Sequence, residues 1–521
     1  MFEVQNTRSV ALVLSLFAIF GIAKYLVRKA SNKNGHLRFP PGPPRLPIVG
    51  NALEATNSDK PWVTYKKWAD VYGDIIYCRM LNQDVIIINS EKVAKDLLEK
   101  RSSNYSDRPF LNTTEIFGFM FNVLFLRYGD KWRQHRRLLH DKLRTATALS
   151  YRPSQMHKTH QLLIDMLETP ENFAYHLQAM MISTIMCLTY GYETARWRDP
   201  LVATIEEAIG NAHEVTTPEA SAVLDALPLL LHIPSWFPGA GFKRRARRSR
   251  EMFSDMVEKP FQYTKSHMYS DKAVKCIVSD LLATIKDEDN HDEFEKVIKS
   301  VASTLVVGGS ETTMSTLLDF VLAMILFPDV QKRAQTEIDS VVGSDRLPNF
   351  DDRSSLPYVE AVLRESHRWH PVAPLGVAHA AVDDDIYEGY RIPKGATVVP
   401  NVWAMSQNEA KYPNPSEFMP ERFFTADGKL NDDMIHYAFG FGRRACPGQH
   451  VANAGVWAAI VSLLAIFKFT KAKDDQGKGI GIEPQWTTGI AIHPRAFPCH
   501  IEPRSPDITF EKLHQMISHF T

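Results

Sequence analysis

Near the end of the chain one cysteine stands among glycines and arginines: Phe439, Gly440, Phe441, Gly442, Arg443, Arg444, Ala445, Cys446, Pro447, Gly448. A helical pattern begins straight afterwards. Proline is favoured in the first turn of a helix, so Pro447 is expected at the first helical position. That puts the Cys446 sulfur at a helix N-terminus. Positive backbone ends and neighbouring arginines lower a thiol pKa and favour the thiolate. The glycines let backbone approach something flat and bulky. A thiolate held this way suits a metal that needs one strong, electron-rich ligand. Against this, a lone cysteine is more often a small core hydrophobe, and a glycine-rich loop more often a turn.

Three further groups could do chemistry or support it. Gly308, Gly309, Ser310, Glu311, Thr312 and Thr313 interrupt a long helical pattern. Each mid-helix glycine costs about 1 kcal/mol relative to alanine. Such a cost suits a helix that opens locally or lets a ligand approach, and the carboxylate and hydroxyl beside it can hold a water and relay protons. Tight helix packing with a solvated Glu311 is the alternative. Glu365 and Arg368 stand three apart on one helical face, which is usually an exposed pair of little worth. Trp132 and Arg136 share a face by their i,i+4 spacing, as in any amphipathic helix.

Taken together, and in this order, the groups resemble the cytochrome P450 family. Phe439, Gly442, Arg444, Cys446 and Gly448 match its haem-binding loop. Gly308, Gly309, Glu311 and Thr312 match its oxygen-binding helix segment. Glu365 and Arg368, with Arg422 in Pro420-Glu421-Arg422-Phe423, match its structural lock under the loop. The resemblance runs from about Phe39 to about residue 505, and is closest in style to fungal, mushroom-type secondary-metabolism members of the O-methylsterigmatocystin oxidoreductase-like kind. Pro234 to Gly239 and Thr487 to Gly489 carry that narrower placement. The resemblance implies haem b with Cys446 as axial iron ligand. Arg444, Trp132, Arg136 and His379 would meet its propionates, and Phe439, Gly442 and Gly448 would shape the loop. Thr312 and Glu311 would steer protons to dioxygen, in space left by Gly308 and Gly309. Electrons would come from NADPH through a separate cytochrome P450 reductase, since no flavin or dinucleotide motif is visible in the chain. A haem-thiolate isomerase or peroxygenase needing no reductase, a ligand-binding haem-thiolate protein without turnover, and a xenobiotic-oxidising P450 are the rival readings.

The elements that must position these residues are mostly helical, with a minor β region. Helical patterns cover 91–101, 130–145, 156–168, 171–190, 200–212, 243–269, 273–286, 293–327, 329–343 and 357–369. Strand chemistry appears at Ile75 to Arg79, Val85 to Asn89 and 386–402. The chain has 521 residues and a formal net charge of +0, so nothing suggests a nucleic-acid binder. Its five cysteines are scattered and contain no C-x-x-C pair, which argues against a disulfide framework or a structural zinc and for a reducing compartment.

The N-terminus reads as a membrane anchor. Val10 to Ala23 carries no charge, and with Lys24 snorkelling the run reaches Val27. Basic residues follow it, so the remainder lies on the cytosolic side. A cleaved signal peptide is the alternative. The expected organisation is an anchor at 1–27, a basic linker and proline-rich hinge at 28–51 and a catalytic domain at 52–521, held in the endoplasmic reticulum membrane by a single pass. Residues 223–242, followed by Lys243, Arg244, Arg245, Arg247, Arg248 and Arg250, suit a surface that dips into lipid near anionic headgroups. By resemblance, residues 105–125, 208–240, 304–312, 372–379 and 482–490 face the substrate. They include Phe110, Phe117, Phe119, Val306, Val307, Val372, Trp486 and Ile490. Such a lining predicts a medium-sized hydrophobic substrate, terpenoid or aromatic (polyketide).

Overall fold

The computed structural model describes residues 37–518, apart from position 48 and the stretches 57–58, 216–223, 226, 238–239, 271–273 and 286–290. The expected anchor at 1–27 lies outside the described residues. The principal helices are α1 (Asp130–Leu143), α2 (Arg152–Glu168), α3 (Phe173–Tyr190), α4 (Pro200–Val215), α5 (Gly241–His267), α6 (His291–Leu326), α7 (Pro328–Val341), α8 (Pro357–Trp369) and α9 (Gln449–Ile466). The strands are β1 (Ile75–Met80), β2 (Gln83–Ile88), β3 (His379–Ala380), β4 (Asp385–Tyr387), β5 (Tyr390–Ile392), β6 (Thr397–Pro400), β7 (Phe467–Lys471) and β8 (Cys499–Pro503).

Helix α6 is the axis of the molecule. Its 36 residues span about 54 Å at the usual rise per residue. From Thr313 to Ile325 every side chain is buried, so this half of the helix is enclosed on all sides. Leu317, Phe320 and Val321 pack in one cluster with Leu162, Leu177, Val359 and Trp457, which brings α2, α3, α8 and α9 around it. Pro328 cannot continue α6 and instead opens α7, and the axes turn by 104° at that point. Helix α9 is long and apolar enough to cross a membrane by composition, but it is a core helix: Trp457, Ile460, Val461 and Leu464 are fully buried.

The main sheet has the order β1-β2-β6-β3. β1 and β2 form the expected hairpin, with Ile75 opposite Ile88. β6 lies parallel to β2, pairing Val85 with Thr397, and β3 closes the sheet antiparallel with His379 opposite Val398. A parallel neighbour over three hundred residues distant leaves no local sequence signal. β7 and β8 pair antiparallel as a separate ribbon. The helical pattern read at 273–286 shrinks to Ile277–Leu282, because Cys276 and Ser279 cap each other and start the helix late. The proline-rich segment is docked on the body rather than swinging from it. Tyr77 N donates to Pro41 O at 3.0 Å, and a Cβ on Gly42 would stand 2.0 Å from Tyr77 O.

Beneath the cysteine loop lies a buried ionic lock. Glu365 and Arg368, at the end of α8, are both fully buried and joined by two bonds of 2.7 Å. Arg422 adds a third contact to Glu365 at 3.2 Å, and Met419 N donates to the same carboxylate at 2.8 Å. Arg368 also donates to the carbonyls of Ser406, Pro415 and Glu417. The pair is therefore the opposite of a solvated salt bridge: both charges are out of water, and four of their bonds, to Ser406 O, Pro415 O, Glu417 O and Met419 N, pin backbone. Removing one partner strands a buried charge, which costs about 3–5 kcal/mol. Glu365→Ala and Arg368→Ala should accordingly lower the melting temperature sharply or abolish soluble protein. Arg368→Lys should fail to rescue, because one ammonium cannot replace the planar fork. Thermal denaturation checks this, and a melting temperature unchanged in all three variants would refute it.

Candidate functional site

The loop that carries Cys446 is shaped by backbone contacts. Two short 3-10 turns, His436–Phe439 and Gly442–Arg444, lead into it. Gly440 and Gly442 both take positive φ, +82° and +55°. At Gly442 a Cβ would stand 2.1 Å from Leu98 O, so only glycine fits there. Leu98 belongs to a π-helical turn, Lys95–Lys100, that the sequence pattern showed only as helix. Cys446 N donates to Phe439 O at 2.7 Å and closes the loop. Helix α9 starts at Gln449 with Gly448 as its cap, so Pro447 lies just outside the helix rather than at its first position.

The Cys446 side chain can be reached by solvent, yet protein surrounds it so closely that burial pushes its thiol above the usual value. The N–H groups of Gly448 and Gln449 and the Arg136 guanidinium pull the other way. The arginine is Arg136 of α1 rather than the chain neighbours Arg443 and Arg444, and desolvation outweighs both it and the helix end. An internal void reconciles exposure with depth. Open space also lies along one face of α6. Gly308 and Thr312, four apart, are the two exposed positions in a stretch otherwise buried or half-buried.

The two central glycines do different work. Nothing lies within 4 Å of a Cβ built on Gly308, so it leaves open space. A Cβ on Gly309 would meet Ile185 of α3 at 3.1 Å, which is helix packing rather than room for a ligand. Thr312 Oγ1 donates back to Gly308 O at 2.7 Å. Ser303, Thr304, Ser310, Ser315 and Thr316 make the same type of bond to the preceding turn. Such back-bonding loosens a helix slightly.

Around the void the charge is unbalanced. Arg444 lies over the Trp132 ring, 4.4 Å from its centroid, and donates to Ser106 O and Leu126 O. Its Nη1 is buried and has no hydrogen-bond partner among the described residues. Burial, with Arg136 nearby, brings the Arg444 guanidinium down to about 10. Arg136 donates to Ala445 O at 2.6 Å and is itself held low by burial. Arg108, which the sequence reading did not single out, donates to the carbonyls of Leu124, Val377 and Ala378 and is pushed well down by burial and by Arg444. Its sequence neighbourhood, Ser106-Asp107-Arg108-Pro109, reads as an ordinary polar turn and gave no signal. The nearby acid, Asp107, is already engaged by Arg127 and by Tyr128 N. His379 faces the same group. Its Nδ1 is 2.7 Å from Tyr105 O, which can only accept, so Nδ1 carries the hydrogen. Burial and Arg108 hold the ring well below its ordinary pKa.

The residues present therefore fit a flat group with a metal at its centre and acidic edges. One sulfur faces the void, an open helix face lines it, and a surplus of buried guanidinium stands without a counter-anion. Phe439 stays at the edge, its ring against His367 at 5.1 Å. Several residues expected to face a substrate are core instead. Phe119 packs on Phe121, Phe125 and Phe253, and Val306 is buried. Gly308→Ala should raise the melting temperature by recovering helix propensity while filling part of the void, so ligand affinity should fall. Gly309→Ala should give no such gain, because Ile185 must move. Melting curves and ligand titrations of both variants check this; equal behaviour would sink the distinction.

The comparisons agree with this geometry. A family model described as Cytochrome P450 matches residues 40–497. Among curated proteins, the chain is 38% identical to cytochrome P450 monooxygenase claR of Ampulloclitocybe clavipes, over 94% of this chain and 90% of that protein. It is 37% identical to cytochrome P450 monooxygenase ple1 of Rhodocybe pseudopiperita, over 96% of each. It is 36% identical to tryptamine 4-monooxygenase of Psilocybe cyanescens, over 90% of this chain and 94% of that one. With a family match spanning most of its length and relatives aligned almost end to end, the chain belongs to the cytochrome P450 family.

Proposed function

We propose that this cytochrome P450 monooxygenase oxidises a medium-sized hydrophobic substrate, terpenoid or aromatic, in fungal secondary metabolism. The observation that carries the reading is the buried Arg444 Nη1 without a partner in the loop of Cys446, a deeply enclosed cysteine that solvent still reaches; the open Gly308–Thr312 face of α6 supports it. Cys446 would ligate haem iron, and Arg444 and Arg136, with Trp132 beneath, would hold the propionates. Bound haem supplies one-electron and dioxygen chemistry, to which a thiolate ligand lends electron density.

The chain's own residues then have separate tasks. Arg136, through Ala445 O, ties α1 to the residue before the ligand, so the sulfur is held from two sides. Thr312 spends its hydrogen on Gly308 O, which leaves its oxygen lone pairs facing the void. A water held there can pass a proton inward, with the Glu311 carboxylate beside it as the exchanging group. Dioxygen and substrate would share the void above Gly308. Electrons would arrive from NADPH through a separate reductase. The relative that is a tryptamine 4-monooxygenase supports the aromatic option.

We place the protein in the endoplasmic reticulum membrane by residues 1–27, with the body in the cytosol. Support comes from a second apolar surface: Leu229, Trp236 and Phe237 are 69%, 80% and 48% exposed, and the exposed Arg244, Arg245 and Arg247 stand at the start of α5 beside them. Exposed aromatics next to cations suit an anionic lipid face.

Three measurements test the reading. Cys446→Ser should lose the long-wavelength absorption band of the reduced carbon monoxide complex; a retained band would overturn the ligand assignment. Thr312→Ala should keep that band and continue to consume NADPH, while product falls by about a hundredfold, as for loss of a proton-transfer group. Microsomes that carry the protein and a reductase should convert a terpenoid or an aromatic with NADPH, read by mass spectrometry. Turnover without NADPH and reductase would favour the isomerase or peroxygenase alternative.

A further inference from the structure

Helix α6 presents Gly308, Thr312, Ser315 and Asp319 along one stripe, at i, i+4, i+7 and i+11. The first two are exposed and the last two fully buried. The void therefore ends between Thr312 and Ser315. Asp319 stands seven residues beyond Thr312, about 10 Å along the axis. The side chain that meets the stripe at Asp319 is Trp486, whose Nε1–H donates to Asp319 Oδ1 at 2.8 Å.

Trp486 is the root of a short hairpin. It bridges Pro494, Thr487 N donates to His493 O at 2.9 Å, and Ile492 N donates to Val372 O at 2.8 Å. At the tip, Thr488, Gly489 and Ile490 are exposed. The indole is clamped on its other sides. It stacks on His370 at 3.5 Å and 16°, and meets Trp369 edge-on at 5.9 Å. Burial brings His370 down to about 3, so a neutral ring lies against the indole.

Asp319 is out of place by ordinary rules. Leu317, Leu318, Phe320 and Val321 around it are all buried and apolar. No cation among the described residues pairs with it, and its Oδ2 has no hydrogen-bond partner there. Burial pushes the carboxyl well above its usual range, against the Trp486 hydrogen bond. A lone buried acid costs stability, and the contact that sets it apart from a leucine is one acceptor for the indole.

We propose that Asp319 is a positioning residue which, by fixing the Trp486 indole and hence the 486–494 hairpin, sets where the substrate void ends and how long a substrate it admits. This rests on the haem-binding reading above. It assigns Asp319 no contact with substrate or cofactor and no proton to transfer.

Asp319→Asn keeps an acceptor, Asp319→Leu removes it, and Trp486→Phe removes the donor but keeps an aromatic ring. Each full-length, haem-loaded variant is titrated with imidazole and with 1-octylimidazole, read by the haem absorbance. Imidazole is the short control, and its Kd should stay as in the wild type throughout. The Kd for 1-octylimidazole should change about fivefold or more in Asp319→Leu and Trp486→Phe, and be restored in Asp319→Asn. An asparagine variant that behaves like leucine would overturn the proposal, as would an unchanged ratio of the two constants in both disruptive variants. If Asp319→Leu yields no folded protein, Trp486→Phe and Asp319→Asn decide alone. An intact carbon monoxide band with an unchanged ratio sinks this inference only. A wild-type protein lacking that band would sink the haem reading with it.

Discussion

The pairing of Glu365 with Arg368 at zero exposure is the constraint on which the rest of the structure depends. A carboxylate and a guanidinium cannot leave water unless every lone pair and N–H finds a partner. Meeting that demand fixes the backbone carbonyls of Ser406, Pro415 and Glu417 and draws in Arg422. The lock reaches the first 3-10 turn before the cysteine loop through Tyr412, whose ring centroid lies 5.5 Å from the Arg368 guanidinium and whose hydroxyl accepts from Tyr437. The ion pair thus converts an electrostatic requirement into a position for Cys446, without touching the chemistry itself.

The site is organised by a complementary imbalance. In the lock every charge is met; around the void the cations are not. Arg444, Arg136 and Arg108 depress one another or are depressed by burial, and the nearby Asp107 is committed to Arg127. Such a surplus is stable only beside an anion, and acidic edges on a bound group would supply it. Burial likewise keeps Cys446 as a thiol in the protein alone. A bound metal would favour the thiolate, so ligand and site complete each other.

Much of this was legible in sequence. The long helix, the β1–β2 hairpin, the loop with its glycines, and the partners Trp132, Arg136, Glu365, Arg368 and Arg422 could all be found from residue types and spacing. What failed did so for identifiable reasons. Gly309 looked like its neighbour, but which way a helical glycine points depends on the packing of α3. Phe119 and Val306 looked like lining because apolar residues read alike whether they face a ligand or a core. Asp319 had only a weak signal, a charge inside an apolar run, and Arg108, beside Asp107 in a polar turn, had none.

By itself the sequence determined the kind of chemistry: a thiol beside glycines and arginines, a helix interrupted by two glycines before an acid and a hydroxyl, and an acid and a base one helical turn apart. These are local patterns, set by covalent neighbours within a few turns. Tertiary structure alone decided which of those groups share a space, what sign each pKa shift takes and where the void stops. Burial and electrostatics depend on neighbours from distant segments: Leu98 against Gly442, Ile185 against Gly309, Trp486 against Asp319. No spacing within the chain encodes those distances.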